Sequence, residues 1–177
     1  MPVNPKKSLG QNFLSDNNII KKIINVSKIS SNDVVLEIGP GTGNLTKFII
    51  SQKPKKIIVI EKDQNLANIL KKQFSNKIEI ITNDIFKMPN DFYSGKKFLI
   101  LGNLPYNIST KILTNLCLND HLSVSKMILM FQKEVAERII ADTHSKEYGR
   151  ITILSKWKFD VKKVTDVKPN SFFPKPK

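Results

Sequence analysis

Apolar residues fall along this chain in two alternating rhythms. Short, nearly unbroken apolar runs occur at Val34-Val-Leu-Glu-Ile38, Lys56-Ile-Ile-Val-Ile60, Ile78-Glu-Ile-Ile81, Phe98-Leu-Ile-Leu101 and from Lys126 to Phe131. Runs of this length, rich in Val and Ile, predict strands buried on both faces. Between them the apolar residues recur at three- and four-residue spacing. Ile19, Ile20, Ile23, Ile24 and Val26 mark a helix through Ser27, with Asp16 or Asn17 as its cap. Leu45 to Ile50 begins a second helix. Gln64 to Phe74 places Leu66, Ile69 and Leu70 on one side, and Thr110 to Leu118 continues the series. Strands alternating with helices predict an α/β fold, a parallel sheet with helices on both faces.

Three stretches fit this pattern less well. Residues 1–16 are polar, carry Pro2, Pro5 and Gly10, and read as an extended lead-in. Ile151 to Phe159 is ambiguous between strand and helix and leans to strand, because short apolar runs do not separate the two by period. Lys168 to Lys177 carries three prolines and ends without a helix or a cap. The expected organisation is therefore one domain: a segment 1–16, a core 17–167 and a proline-rich tail 168–177 that looks cut.

Composition narrows the class. The chain has 177 residues, 40% hydrophobic and 25% charged, which fits one globular domain and excludes a disordered or collagen-like chain. Cys117 is the only cysteine, so no intrachain disulfide forms and a reducing, cytoplasmic setting is expected. No apolar run approaches the roughly 20 residues of a bilayer span, and the start lacks the apolar core of a signal peptide. Lys plus Arg number 29 against 15 Asp plus Glu, a net charge of +14, with a pI near 9.8. Such an excess favours a nucleic-acid partner over mere solubility, since neutralising phosphates releases condensed counterions. A membrane partner is not expected, because the lysines are scattered in pairs rather than gathered on one amphipathic helix.

Candidate chemistry begins at the first strand. Glu37-Ile-Gly-Pro-Gly-Thr-Gly43 leaves that strand and precedes a helix, and its glycines let the backbone turn tightly and let a ligand approach without meeting a Cβ. Glu61 ends the second strand, where a carboxylate can accept ribose hydroxyl protons. Asp84 follows the third and can reach an adenine amine. A dinucleotide site usually reads G-x-G-x-x-G and binds a diphosphate, which Glu37 would repel. The G-x-G-x-G spacing beside a carboxylate suits a cofactor carrying an ammonium and a sulfonium. S-adenosylmethionine is therefore favoured over NAD, with a ligand-free glycine turn as the plainer alternative.

Gly102-Asn-Leu-Pro-Tyr-Asn107 follows the fourth strand on the same sheet edge. An adenine amine is a poor nucleophile because its lone pair is delocalised into the ring. The Asn103 side-chain oxygen and the Leu104 backbone carbonyl can accept its two hydrogens and hold the nitrogen in line with a methyl donor. Pro105 stiffens the loop, and Tyr106 can stack on the purine. A plain Asn-x-Pro turn is the competing reading. His121, His144 and Cys117 lack the spacing of a zinc site, so no metal is expected. Cys117 reads as core, Trp157 as packing, and Lys133, Arg138 and Arg150 as phosphate contacts or solvated surface.

Six segments together resemble the rRNA adenine dimethyltransferase family: Lys7-Ser-Leu-Gly-Gln-Asn-Phe-Leu14, Glu37 to Gly43, Asn103-Leu-Pro-Tyr106, Phe131-Gln-Lys-Glu-Val-Ala-Glu-Arg138, Tyr148-Gly-Arg150 and Phe173-Pro-Lys-Pro176. They run in family order over essentially the whole chain and look most like the small-subunit branch, the kasugamycin-sensitivity methyltransferases. The resemblance implies a class I, Rossmann-like methyltransferase domain that dimethylates two adjacent adenosines near the 3′ end of small-subunit rRNA, working as a monomer on that rRNA or a pre-ribosomal particle. It implies cofactor contacts at Gln11, Asn12, Leu14, Gly39, Glu61, Asp84 and Asn103. Asn103, Leu104 and Tyr106 would hold the target base, and Phe173 would stack on its opposite face. It also makes residues 149–157 helical. Family members continue into a last antiparallel strand and a small helical domain, so the expectation is a catalytic domain lacking both, with an exposed sheet edge. Rival readings are the antibiotic-resistance branch acting on large-subunit rRNA, a non-catalytic rRNA-binding assembly factor, and an NAD-dependent dehydrogenase.

Overall fold

The computed structural model describes residues 5–6 and 10–176; Lys7, Ser8 and Leu9 of the lead-in motif and Lys177 lie outside them. In chain order the elements are β1 (Phe13–Leu14), α1 (Asn17–Ser27), β2 (Val34–Ile38), α2 (Asn44–Ser51), β3 (Lys56–Glu61), α3 (Gln64–Phe74), β4 (Glu79–Thr82), α4 (Asn90–Tyr93), β5 (Lys97–Asn103), α5 (Ser109–Leu118), β6 (Ser123–Met130), α6 (Lys133–Ile140), α7 (Arg150–Lys158) and β7 (Phe172–Phe173). Five of the strands form one sheet in the order β4-β3-β2-β5-β6, every pair parallel. The chain moves outward from β2 to β4, then returns to β2's other side with β5. That reversal opens a crevice at the carboxyl ends of the central strands, the usual ligand position in such sheets.

Side chains alternate across the sheet and fill two layers. Val35, Val59, Leu99 and Leu101 pack against Ile20 of α1, Ile49 of α2 and Leu70 of α3. Leu36, Ile58, Ile60 and Ile100 pack on the other face with Tyr93 of α4 and Ile112 and Leu116 of α5. Burying a Leu or Ile side chain is worth about 1.5–3 kcal/mol, so these layers, not the short strands themselves, hold the crevice open. A third cluster joins α5, α6 and α7 through Leu113, Cys117 and Ile139, which confirms Cys117 as core. Asp16 caps α1, its carboxylate accepting from the Asn18 and Ile19 N–H groups.

Several expectations need correction. Ile151–Phe159 does not form a strand: Arg150–Lys158 is helical, as the family resemblance implied. Its buried residues are Thr152 and Ser155, so the inward face is small and polar and leaves no apolar period to read. Trp157 is not packed but 70% exposed, with the Lys158 ammonium 4.8 Å from its ring centre. The fifth sheet strand starts at Ser123, three residues before the apolar run, and β5 extends through Asn103 rather than stopping at Leu101. The helices α4 and α6 have no counterpart in the pattern reading. The lead-in and the proline-rich tail meet, a contact the pattern reading did not foresee: Phe13 pairs with Phe173 and Leu14 with Phe172 in an antiparallel ladder. At the far edge of the sheet, β6 pairs with β5 alone among the described residues. No helix among the described residues is long and apolar enough to cross a membrane.

Candidate active site

The crevice is a partly open cleft of about 190 Å³. Its walls come from the lead-in, the glycine turn after β2, the ends of β3 and β4, and the loop after β5. Gln11, Asn12, Leu14, Gly39, Glu61, Asp84, Asn103, Leu104 and Tyr106 all line it. Phe173 does not: it is 62% exposed beside the cleft. It stands directly opposite Phe13, which does line the cleft, and paired residues in an antiparallel ladder project on the same side.

The glycine turn holds three positive φ angles, but its glycines serve different ends. A Cβ on Gly39 would meet nothing within 4 Å and would project into free space, so this is the position where a ligand can approach the backbone. A Cβ on Gly41 would meet the Phe13 ring at 2.7 Å, and Gly43 is closed off by Leu70 and Phe74. Those two glycines are required by packing: one seats the lead-in, the other brings α2 against α3.

Two acidic side chains sit deep in this wall. Glu61 is held by backbone on both sides, Oε2 accepting from Gly41 N at 3.1 Å and Oε1 from Asp63 N at 2.9 Å. Burial pushes its carboxyl above the ordinary range, while those two N–H groups pull it back. Glu37 is only 2% exposed, and its Oε2 accepts from Thr46 Oγ1 at 2.7 Å. Burial raises it to about 8, the Thr46 hydroxyl opposes that rise, and the nearby Glu61 adds to it. Glu37 therefore favours its protonated form at neutral pH. Asp84 behaves differently. Lys62 Nζ bonds its Oδ2 at 2.9 Å and the Phe86 N–H bonds its Oδ1 at 3.1 Å, and the Lys62 ammonium first among these holds it below the usual range.

The lead-in closes one side. Gln11 does more than face the cleft: its Nε2 donates to Asp63 Oδ2 at 3.3 Å and its Oε1 accepts from Lys6 N at 2.7 Å. Lys6 Nζ reaches the same Asp63 oxygen at 2.8 Å. The Leu14 carbonyl accepts from Asn44 Nδ2, and the Asn12 carbonyl from Asn103 Nδ2, each at 2.7 Å. With its nitrogen so engaged, Asn103 turns its oxygen away from Asn12. The Leu104 side chain is anchored in the core under the loop, and Tyr106 is half-buried, which raises its phenol above the ordinary value.

Sequence reasoning missed the residues that hold others in place. Asp63, Thr46 and Asn44 carry no motif of their own, although Asp63 reads as a helix cap three residues ahead of Leu66 in α3. Arg138 and Arg150 are exposed on α6 and α7. No group of three possible metal ligands comes together among the described residues.

With that geometry in hand, known proteins are informative. The model of the family described as Ribosomal RNA adenine dimethylase matches residues 3–177. The chain is similar to a protein of Pelagibacter ubique named ribosomal RNA small subunit methyltransferase A, 51% identical over 179 residues that cover 100% of this chain and 68% of the relative. Among solved structures it resembles a dimethyladenosine transferase from Plasmodium falciparum, with a TM-score of 0.82 and 37% identity over 93% of this chain and 59% of that one. The 23S rRNA methyltransferase ErmE gives a TM-score of 0.74 and 26% identity, covering 94% and 66%. The chain thus spans about two thirds of the length of these proteins or less.

Proposed function

The chain belongs to the ribosomal RNA adenine dimethylase family, and from that premise we propose that it transfers methyl groups from S-adenosylmethionine to the exocyclic amines of two adjacent adenosines near the 3′ end of small-subunit rRNA. The observation that carries this reading is the Asn103 carboxamide. Its nitrogen is spent on the Asn12 carbonyl, so its oxygen is the acceptor left at a cleft wall that also includes Leu104 and Tyr106. Two acceptors on consecutive residues, the Asn103 side chain and the Leu104 carbonyl, hold an amine by its two hydrogens. Held so, the nitrogen moves toward a pyramidal form and its lone pair becomes available. Positioning of this kind is worth several kcal/mol of barrier.

The residues present fit the cofactor. Gly39 leaves open space where a Cβ would stand, Glu61 presents a carboxylate fixed from behind, and Glu37 stands within the wall to ionise against an ammonium. S-adenosylmethionine when bound would supply a methyl already activated on a sulfonium; as the N–C bond forms and the C–S bond breaks, S-adenosylhomocysteine would leave and the surplus amine proton would pass to water, so no side chain need act as a base. Glu61 would accept from the ribose hydroxyls, Asp84 would serve the adenine, and Asn12, Leu14 and Gln11 would hold the ligand from the lead-in side. Tyr106 stacks on the target base, and Phe173 reaches over from the β1–β7 ribbon to its other face. The target leaves its stack to reach this cleft, so it lies in a single strand or loop end. For the second transfer the monomethylated amine keeps one hydrogen for the acceptors. The protein acts as a monomer in the cytoplasm, on small-subunit rRNA or a pre-ribosomal particle.

The test is to incubate the chain with tritiated S-adenosylmethionine and small-subunit particles lacking methyl marks, then digest and map the nucleosides. Dimethyladenosine at two adjacent positions near the 3′ end is the expected result. Label confined to large-subunit rRNA, or no label from a folded protein, contradicts the reading.

A further inference from the structure

A carboxamide can sit in its socket in two orientations of nearly the same shape, with oxygen and nitrogen exchanged. For Asn103 only one suits an amine substrate. In the other, its NH2 would face the donor hydrogens of the target and its oxygen would face the Asn12 carbonyl, an unfavourable pair at each end. The selection is made by the bond from Asn103 Nδ2 to Asn12 O at 2.7 Å, across 91 residues of chain. The lead-in that carries Asn12 is in turn fastened at a point away from the cleft. Ser15 N and Ser15 Oγ both donate to the Ser171 carbonyl, at 2.8 and 3.1 Å, and Asp16 N reaches it at 3.3 Å. Ser171 Oγ donates to Asp16 Oδ2 at 2.9 Å. Ser171 is buried, and neither it nor Ser15 lines the cleft.

We infer that Ser171, clasped to Ser15, is a positioning residue for methyl transfer: it pins β1 so that the Asn12 carbonyl holds the Asn103 amide with its oxygen toward the amine. The inference rests on the function proposed above and adds to it a dependence of the acceptor geometry on contacts between the two ends of the chain. Loosening the clasp frees Asn12 and lets the amide turn over, which lowers the rate even where the cofactor is saturating. Replacing the amide with a carboxylate removes the choice of orientation, since both of its ends are oxygens, although it also gives up the bond to Asn12 and so lowers the rate of that background itself.

The test compares kcat at saturating S-adenosylmethionine in two backgrounds. Ser15→Pro deletes two of the donors and Ser171→Ala deletes a third, more gently. Expected are losses of about tenfold and about threefold in the otherwise unaltered protein, and less than about twofold for either change when Asn103→Asp is also present. Equal losses in both backgrounds would mean the clasp is merely structural and would overturn the inference, as would no loss at all. A second readout is independent of turnover. In 15N-labelled protein with S-adenosylhomocysteine, the Asn103 side-chain NH2 pair, identified by its disappearance in Asn103→Asp, exchanges slowly, and in Ser15→Pro it exchanges fast. If no variant methylates RNA, the proposed function fails, yet unchanged protection of that pair in Ser15→Pro still overturns the positioning role.

Discussion

The two sides of the cleft are built on different principles. The β2–β3 side is local: Glu37, Gly39, Glu61 and Asp63 lie within 27 positions of one another, and the turns after β2 and β3 hold Glu61 through the Gly41 and Asp63 N–H groups. The opposite side is assembled over long distances. Asn103 depends on Asn12 across 91 residues, and the lead-in depends on Ser171 across 156. The local side fixes Glu61 from behind and is the wall that the proposed reading gives to the cofactor. The remote side carries Asn103, the acceptor assigned to the target amine in the proposed reading, and its long-range contacts are partly exposed, the kind that open most easily. Binding and transfer should therefore fail separately when each side is damaged.

The sharpest way to separate them is Asn103→Ala. Loss of the acceptor should lower methyl transfer by about a hundredfold or more, with thermal stability scarcely changed, as read by initial rates and a melting curve. An equal fall in stability and rate would erase the distinction between the two sides. Next is Glu61→Ala, which strikes the local side. A hydrogen bond to a charged group is worth about 1.5–3 kcal/mol, so calorimetric affinity for S-adenosylhomocysteine should fall about 10- to 100-fold. At saturating cofactor much of the transfer rate should return.

That division also governs what can be read from the chain alone. The β2–β3 side is legible because each group follows a strand that its apolar run announces, although the glycine pattern did not separate Gly39, which opens onto the cleft, from Gly41 and Gly43, which serve packing. The parallel sheet and the extent of α3 are legible for the same reason. Asn103 was readable as a motif, but the bond that orients it was not, because nothing near Asn12 points to residue 103. The pairing of Phe13 with Phe173 is likewise invisible to a period, since two-residue strands have none. The face of α7 misleads for the opposite reason: it buries Thr152 and Ser155 and shows Ile153 and Trp157 to solvent.

A further sharpening concerns protons. Glu37 keeps its proton to about pH 8 in the folded protein, against 4.5 as its ordinary value. Between those values the folded state binds more protons than the unfolded one, so stability falls as pH rises through that window and levels off above it. The slope from one group is at most about 1.4 kcal/mol per pH unit. Glu37→Gln keeps the acceptor for Thr46, and it should flatten the decline of melting temperature between pH 5 and pH 8 in ligand-free protein. An unaltered profile would remove Glu37 from the account.

The smallest effects distinguish two glycines of one turn. Gly41→Ala drives a methyl into the Phe13 ring and should lower stability by more than the roughly 1 kcal/mol that a positive φ alone costs. Gly39→Ala meets no atom, so its stability loss should stay near that figure while affinity for S-adenosylhomocysteine falls. Thermal melts with and without ligand separate the two.

The central claim, that this cleft is an S-adenosylmethionine site, is tested most directly by calorimetric titration of the folded chain with S-adenosylhomocysteine, with NAD alongside and Glu61→Ala as control. Saturable binding of the first alone, weakened in the variant, is the predicted result. Binding of NAD instead, or of neither, would contradict it.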